Sequence, residues 1–277
     1  MSSPILAVDR ELRKKLCAIV TQKTGIQLPE SKTAMIEGRL RKRIRALGVP
    51  DVRTYLRMVF EDGQLKTELP HIIDVLTTNK TDFFRENAHF SFMEKNILPG
   101  HPTSRSLKFW SAASSTGEEA YTAAMVFAEH AKRVPGFQFS ILGTDISSIV
   151  VAKARQGIYA RDEIGDIPAA CKERYLELGH DSDGRKLARV IKTLRDRVKF
   201  ANMNLTVTPY PVEKNMDVIF LRNVLIYFDD TMQKNVVSAI TDHLRPGGYL
   251  FVGHSESAAA TDPRLTQCSA AVFRKGV

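Results

Sequence analysis

The segment from Leu107 to Asp145 constrains the fold more than any other part of the chain. Leu107–Ala112 is a short, mostly apolar run, the pattern of a buried strand. Ala113-Ser114-Ser115-Thr116-Gly117 is a turn of small residues, and Glu118 and Glu119 favour a helix start directly after it. Ala120, Ala123, Ala124, Phe127 and Ala131 then recur at helical spacing. Phe137–Thr144 is apolar again and stops at Asp145. Strand, turn, helix and strand make a βαβ unit. Such a unit binds an adenosine-containing ligand where the first turn meets the helix, and an acid after the second strand accepts hydrogen bonds from ribose hydroxyls.

The turn also constrains the ligand. A dinucleotide fold uses G-x-G-x-x-G so that backbone approaches a pyrophosphate. Here Ala112 and Ala113 stand where glycines would be, and only Gly117 remains. A pyrophosphate is disfavoured. S-adenosylmethionine (SAM) carries adenosine without phosphate and fits this turn better. A tight turn of any α/β protein satisfies the same spacing, so the remaining strands have to decide.

They do so by where their polar residues fall. Ser148–Gln156 reads as a helix stopped by Gly157, Asp162–Leu178 as a polar helix, and Gly179–Gly184 as a turn. Lys186–Ile191 suits a strand of a small antiparallel appendage, and Val198–Met203 a strand of the main sheet. Met216–Arg222 is a buried strand, Thr231–Leu244 a helix, Arg245–Gly248 a turn into the strand Tyr249–Gly253, and Ala270–Arg274 the closing strand. The alternation predicts an α/β fold, a doubly wound, mostly parallel sheet. Ligands of such sheets sit at the carboxyl ends of strands. Asp145, Asn204 and Arg222-Asn223 all fall there.

The first quarter is helical. Leu12, Leu16, Ile19 and Val20 form a stripe that ends at Gly25. A second helix is expected over about 31–47, with Ile36, Leu40, Ile44 and Leu47 on one face, followed by helices near 52–61 and 69–76. Arg39, Arg41, Lys42, Arg43 and Arg45 crowd the second helix with no acid among them. A charge run is ordinarily a solvated face, but one this dense repels itself unless an acidic surface compensates, so it is a candidate docking surface. Residues 77–90, TTNKTDFFRENAHF, form a polar linker pinned by Phe83 and Phe84.

The whole chain has 277 residues and a net charge of +9, so an acidic partner is expected. Three scattered cysteines, Cys17, Cys171 and Cys268, suit reduced thiols in the cytoplasm rather than a disulfide framework. No apolar run reaches membrane-spanning length, and the N-terminus lacks a signal-peptide core. The seven histidines show no H-E-x-x-H spacing, so no metal is expected.

Six segments carry a family resemblance: TTNKTDFFRE (77–86), WSAASSTGEEAY (110–121), TDIS (144–147), NMNL (202–205), VIFLRNVLIYFD (218–229) and RPGGYLFVGHSES (245–257). In this order they resemble the CheR-type chemotaxis receptor glutamate O-methyltransferases. The resemblance implies a helical N-terminal domain (1–76) and a linker plus Rossmann-like SAM-dependent methyltransferase domain (77–277), with a small antiparallel β-subdomain near 178–198. It implies methyl transfer to glutamates on the acidic helical bundle of chemoreceptors, with S-adenosylhomocysteine as product. The implied SAM contacts are Asn79, Thr81, Arg85, Glu119, Asp145, Asn204, Leu205, Arg222 and Asn223. Arg85 and Tyr227 are the candidate catalytic residues, steering and orienting the acceptor carboxylate, although a linker salt bridge and a packing tyrosine are equally ordinary roles. Ala113 and Ala120 replace a glycine and a proline common in the family motif. In some members the β-subdomain grips a receptor C-terminal peptide. A monomer without nucleic-acid or membrane-embedded contacts is expected.

Two rival enzymes fit less well. Amino methylation of nucleic acid comes with [DN]-P-P-[YFW] after the fourth strand, where this chain reads LRNVLIYF, and none of the cysteines follows a proline as a cytosine C5 nucleophile would. An NAD-dependent oxidoreductase lacks its glycines. A non-catalytic SAM sensor or receptor-docking module is excluded only by turnover.

Overall fold

The computed structural model describes residues 4–29, 31, 33–77 and 79–277; Thr78 of the linker motif lies outside the described residues. The chain divides into two compact units, one of residues 1–78 with 227–232, the other of residues 79–226 with 233–277.

The first unit contains α1 (Pro4–Thr24), α2 (Thr33–Ala46), α3 (Val52–Phe60) and α4 (Leu65–Leu76). Gly25 stops α1 with φ 73, a left-handed conformation that costs glycine little. The Asp51 side chain caps α3 by accepting from Thr54 N at 2.7 Å. Leu16, Val20, Ile36, Leu40, Ile44, Tyr55, Val59 and Ile72 meet in one apolar core. Ile19 is only half-buried, while Leu47, expected on the buried face, is 38% exposed past the end of α2. α4 begins four residues before the expected Leu69, so Pro70 stands inside the helix rather than in its opening turn.

The basic face of α2 is smaller than its sequence suggests. Arg43 donates through Nε and Nη2 to the two oxygens of Glu68 at 2.9 and 2.6 Å, and the buried Tyr55 hydroxyl donates to the same carboxylate at 2.9 Å. Glu68 is 4% exposed. The Arg43 guanidinium holds its carboxyl below the usual range, and burial raises the Tyr55 hydroxyl. Arg39 donates to the Leu76 carbonyl. The acid that compensates the run is therefore partly internal, and the half-buried Arg43 is committed to the buried Glu68. Arg41, Lys42 and Arg45 remain exposed.

The second unit opens with α5 (Ala88–Phe92), a further helical turn to Gly100, and then the βαβ unit: β1 (Leu107–Ser111), α6 (Glu118–Arg133) and β2 (Phe139–Asp145). There follow α7 (Ser148–Gln156), β3 (Ile158–Ala160), α8 (Ala169–Tyr175), β4 (Leu176–His180), β5 (Lys186–Val190), α9 (Lys192–Arg195) and β6 (Val198–Asn202). β7 (Met216–Leu221), α10 (Asp230–His243), β8 (Leu244–Val252), β9 (Leu265–Ser269) and β10 (Val272–Lys275) complete the chain. The main sheet has the order β6-β2-β1-β7-β8-β10-β9, parallel from β6 to β8, with β10 antiparallel to both neighbours. A second sheet, β3-β5-β4, is antiparallel. Every residue of β7 is buried, as expected of a central parallel strand covered on both faces.

Three sequence expectations change. The segment 162–178 is not one helix: Gly165 and Pro168 interrupt it, α8 spans only Ala169–Tyr175, and Leu176–His180 pairs with β5. Arg245–Gly248 falls within the bounds of β8 but pairs with no residue of β7: Leu244 faces Met216 and Tyr249 faces Val218, so the stretch between them bulges out as an irregular turn inside the strand, with Gly247 at φ 70. β3 and β9 were not expected. β3 has three residues, too few for a periodic signal, and β9 is an edge strand with mostly exposed side chains.

One buried acid in this unit makes a thermodynamic prediction. Glu118 is 3% exposed, and burial pushes it up to about 7 although the Thr116 hydroxyl lies against both its oxygens. A carboxyl raised in the folded state stabilises most below its unfolded pKa and loses that contribution as pH rises through the folded value. The step from 4.5 to about 7 corresponds to about 3 kcal/mol. Glu118→Gln is therefore expected to raise Tm at pH 8, and to flatten the fall in stability between pH 5 and 8. Equal Tm gains at both pH values would contradict the assignment.

Candidate active site

The parallel strands end together on one side of the sheet, and their last residues build the site. β1 ends at Ser111, fully buried, whose hydroxyl donates to Glu119 Oε1 at 2.6 Å. Glu119 lies in the first turn of α6, where a negative side chain complements the helix dipole. β7 ends at Leu221 and passes into Arg222-Asn223. Arg222 Nη1 lies 3.3 Å from Glu119 Oε2 and its Nη2 lies 3.4 Å from Glu86 Oε2. Its side chain is only 1% exposed. The guanidinium packs over the rings of Phe220 and Phe90, 5.1 and 5.8 Å from their centroids. Nη2 also donates to the Arg85 carbonyl at 2.6 Å. Burial drives the Glu119 carboxyl up, opposed by Arg222 and the Ser111 hydroxyl.

Asp145, at the end of β2, shapes the small-residue turn. Its Oδ2 accepts from Ser115 N at 2.9 Å and its Oδ1 from Ser147 N at 3.0 Å. Ser115 sits at φ 47 and Gly117 at φ 98, so the chain doubles back before α6. A Cβ on Gly117 would stand 3.0 Å from Ala154 Cβ and from the Phe200 ring, so glycine is required there for space as well as for φ. Gly143 is similarly enclosed: a side chain would meet the Phe200 ring at 2.5 Å and Ser114 Oγ at 2.9 Å.

The linker threads this region mainly by its backbone. The Asn79 carbonyl accepts from Ser115 Oγ at 2.7 Å, and Arg85 Nη1 donates to the Lys80 carbonyl at 3.0 Å. Phe83 is buried and stacks edge-on against Tyr159 of β3 at 4.9 Å. Phe84 and Glu86 adopt positive φ of 55 and 52. Thr81 is half-buried.

The named residues thus fall into distinct groups. Glu119, Arg222, Asn223 and the Arg85 carbonyl form one contact network. Asp145 and Asn79 meet around Ser115. Asn204 Oδ1 accepts from Thr206 N and Oγ1 at 2.9 Å each, and the buried Leu205 offers its carbonyl to Tyr210 at 2.7 Å. Tyr227 belongs to the first unit, where its carbonyl accepts from Gln27 N at 2.8 Å.

Sequence reasoning missed Glu86, Ser111 and Ser115, although all three lie in or beside quoted motifs. It also missed a cluster of possible metal ligands: Glu86, His89 and His254 each offer one atom, all within 4.8 Å of one another. His89 is buried, and burial lowers it to about 4, so it is neutral at physiological pH. Glu86 Oε2 lies 3.5 Å from His89 Nδ1 and 4.0 Å from His254 Nε2. Arg222 already supplies positive charge to that oxygen.

Comparison with known proteins identifies the family. Residues 79–273 match the CheR methyltransferase, SAM binding domain, and residues 13–77 the CheR methyltransferase, all-alpha domain. The chain is 37% identical over 263 residues to a chemotaxis protein methyltransferase of Escherichia coli, covering 94% of this chain and 89% of the relative. Identity is 38% to that of Salmonella typhimurium, covering 91% and 85%, and 35% to that of Borreliella burgdorferi, covering 90% and 89%. Family models over both units and relatives aligned along nearly the whole chain lead to one conclusion: this chain belongs to the CheR methyltransferase family and is a SAM-dependent methyltransferase of chemotaxis.

Proposed function

We propose that the chain methylates glutamate side chains of chemoreceptor cytoplasmic domains, and that the strand-end network described above is its SAM site. The observation that carries this reading is the buried Arg222–Glu119 pair beside the Ser115–Asp145 turn. A zwitterionic amino-acid tail needs one anionic and one cationic partner, and a ribose diol needs an acceptor. Glu119, Arg222 and Asp145 have those chemistries, and the turn bears only small side chains. Two polar atoms of Arg222, Nε and Nη1, are buried without a hydrogen bond, which suits a site completed by a ligand. Asn79, Thr81, Arg85, Asn204, Leu205 and Asn223 are assigned to the same site through the family motif.

SAM, when bound, supplies an electrophilic methyl on a sulfonium that leaves as a neutral thioether. The acceptor glutamate, with an ordinary pKa near 4.3, is already anionic at neutral pH, so the protein needs no general base. Its residues align the acceptor and exclude water. We assign Arg85 to steering the acceptor carboxylate and Tyr227 to orienting it by a hydrogen bond.

The deciding experiment is transfer of labelled methyl from SAM to chemoreceptor-containing membranes, followed by mild alkali. A carboxyl methyl ester releases volatile labelled methanol, and that is the expected result. Alkali-stable label would mean a nitrogen or carbon acceptor and would overturn the reading.

For receptor docking we propose Arg41, Lys42 and Arg45, the exposed cations of α2. Reversing all three to glutamate is expected to lower receptor methylation at least about ten-fold while SAM affinity changes less than two-fold, and added salt should act the same way. Equal salt sensitivity of SAM binding and methylation would count against the surface. β4, an outer strand of the small sheet with Leu178 exposed, offers backbone to which an extended receptor C-terminal peptide adds as a further strand. We place the protein in the cytoplasm as a monomer, consistent with three cysteines not joined in disulfides. No described helix is long and apolar enough to cross a membrane.

A further inference from the structure

We propose that Glu256 is a positioning residue for methyl transfer, holding the loop after β7 that presents Arg222 and Asn223; this rests on the assignment of those two residues to the SAM site. Glu256 is 2% exposed and distant in sequence from the other site residues. Its Oε2 accepts from Asn223 N at 2.6 Å and from Gly253 N at 2.8 Å, while Oε1 accepts from Ile226 N at 3.2 Å. One buried carboxylate thus gathers three backbone donors from two separate segments.

Glu256 fixes the conformation of this loop. Asn223 adopts φ 56, a left-handed conformation that asparagine tolerates better than most residues with a Cβ, and the Glu256 carboxylate holds its N–H in that conformation. The bond from Asn223 N to a charged acceptor is of the strong kind. In that conformation the Asn223 amide faces Glu86 Oε1 at 3.4 Å, on the carboxylate that also faces Arg222. Glu256 therefore acts on the network through backbone geometry, without touching Glu119 or Arg222. Gly253 belongs to the same device. A Cβ there would stand 2.7 Å from Glu256 Oε2 and 2.8 Å from Asn223 Nδ2, so the close approach of carboxylate and loop requires glycine. This accounts for the G-H-S-E stretch, which the SAM contacts leave unexplained.

A glutamine at 256 keeps the shape but turns an amide N–H₂ toward backbone N–H donors, so at least one of the three bonds is lost. The experiment measures Kd for SAM by calorimetry, kcat with receptor membranes, and Tm, for Glu256→Gln, Asn223→Ala and the double variant. Glu256→Gln is expected to weaken SAM binding or lower kcat by about ten-fold at a temperature where the protein stays folded. In the double variant the loss should be close to that of Asn223→Ala alone, because both act through one loop. Gly253→Ala, whose φ of −63 imposes no backbone strain, provides a second disturbance of the same pair and should act in the same direction. A Glu256→Gln protein that loses Tm but keeps Kd and kcat would overturn the proposal, as would losses that multiply fully in the double variant. If Glu256→Gln does not fold, Gly253→Ala decides by the same two readouts. A silent Asn223→Ala would instead remove Asn223 from the site, and Glu256 would then stand or fall on its own Kd and kcat.

Discussion

Arg222→Met is expected to abolish methyl transfer and to lower Tm by on the order of 10 °C. The guanidinium is 1% exposed and is the cation facing both Glu119 and Glu86. Methionine fills much of the volume between Phe90 and Phe220 but carries no charge, so two largely buried carboxylates lose their counter-ion. Removing one partner of a buried ion pair costs about 3–5 kcal/mol, chiefly through the charge left behind. In a chain of this size 1 kcal/mol moves Tm by about 2–4 °C. The pH dependence identifies the cause. Burial already raises Glu119, and without Arg222 its folded pKa rises further. A raised carboxyl stabilises below its unfolded pKa and loses that contribution as pH rises. The variant should therefore lie nearest the wild type in mildly acidic buffer and fall away toward pH 8. Adding Glu119→Gln should restore part of the stability at pH 8 without restoring activity. A variant with wild-type Tm and an unchanged pH profile would show that Arg222 is not the counter-charge of these acids.

The same network shows what kind of information a sequence carries. The βαβ unit was legible because its signals are local: apolar runs of strand length, a small-residue turn and helical spacing in α6. Asp145 and Arg222-Asn223 were legible because each follows an apolar run directly, so the topology of a parallel sheet places them on one side. Glu86 was not, because its partners Arg222 and Asn223 lie 136 and 137 positions away and no periodicity relates them. The partner of Arg43 was not legible for a related reason. A run of cations reads as surface unless the buried acid opposite is known, and Glu68, 25 positions away, carries no mark of burial in its own helix pattern. Boundaries failed where pairing overrides local preference. Arg245–Gly248 keeps its turn chemistry as an unpaired bulge, and the strand bound moves because Leu244 ahead of it pairs with Met216 of β7. Leu176–His180 follows a helix and is made a strand by β5.

Asp145→Ala is expected to remove measurable SAM binding, and the geometry separates two contributions to that loss. The carboxylate closes the turn between β1 and α6 through Ser115 N and ties the start of α7 through Ser147 N. Hydrogen bonds to a charged acceptor are worth about 1.5–3 kcal/mol each, so alanine is expected to cost about 3 kcal/mol of stability before any ligand is added. A carboxylate offers about four lone-pair sites, so one side chain has the capacity to fix the turn and accept from ribose hydroxyls together. Loss of the ligand contact would add at least about a hundred-fold to Kd, about 2.7 kcal/mol. Asp145→Asn separates the two. Asparagine keeps one oxygen for one backbone donor but presents an amide to the other, so an intermediate Tm and a Kd raised about ten-fold are expected. Calorimetry at a temperature where all three proteins are folded makes the comparison direct. Alanine and asparagine variants that lose Tm in this order but bind SAM like the wild type would confine Asp145 to the turn and leave the adenosine to be held elsewhere. Parallel losses of Kd and Tm would instead mean that the turn is the binding site, and that the residue which shapes it also reads the ligand.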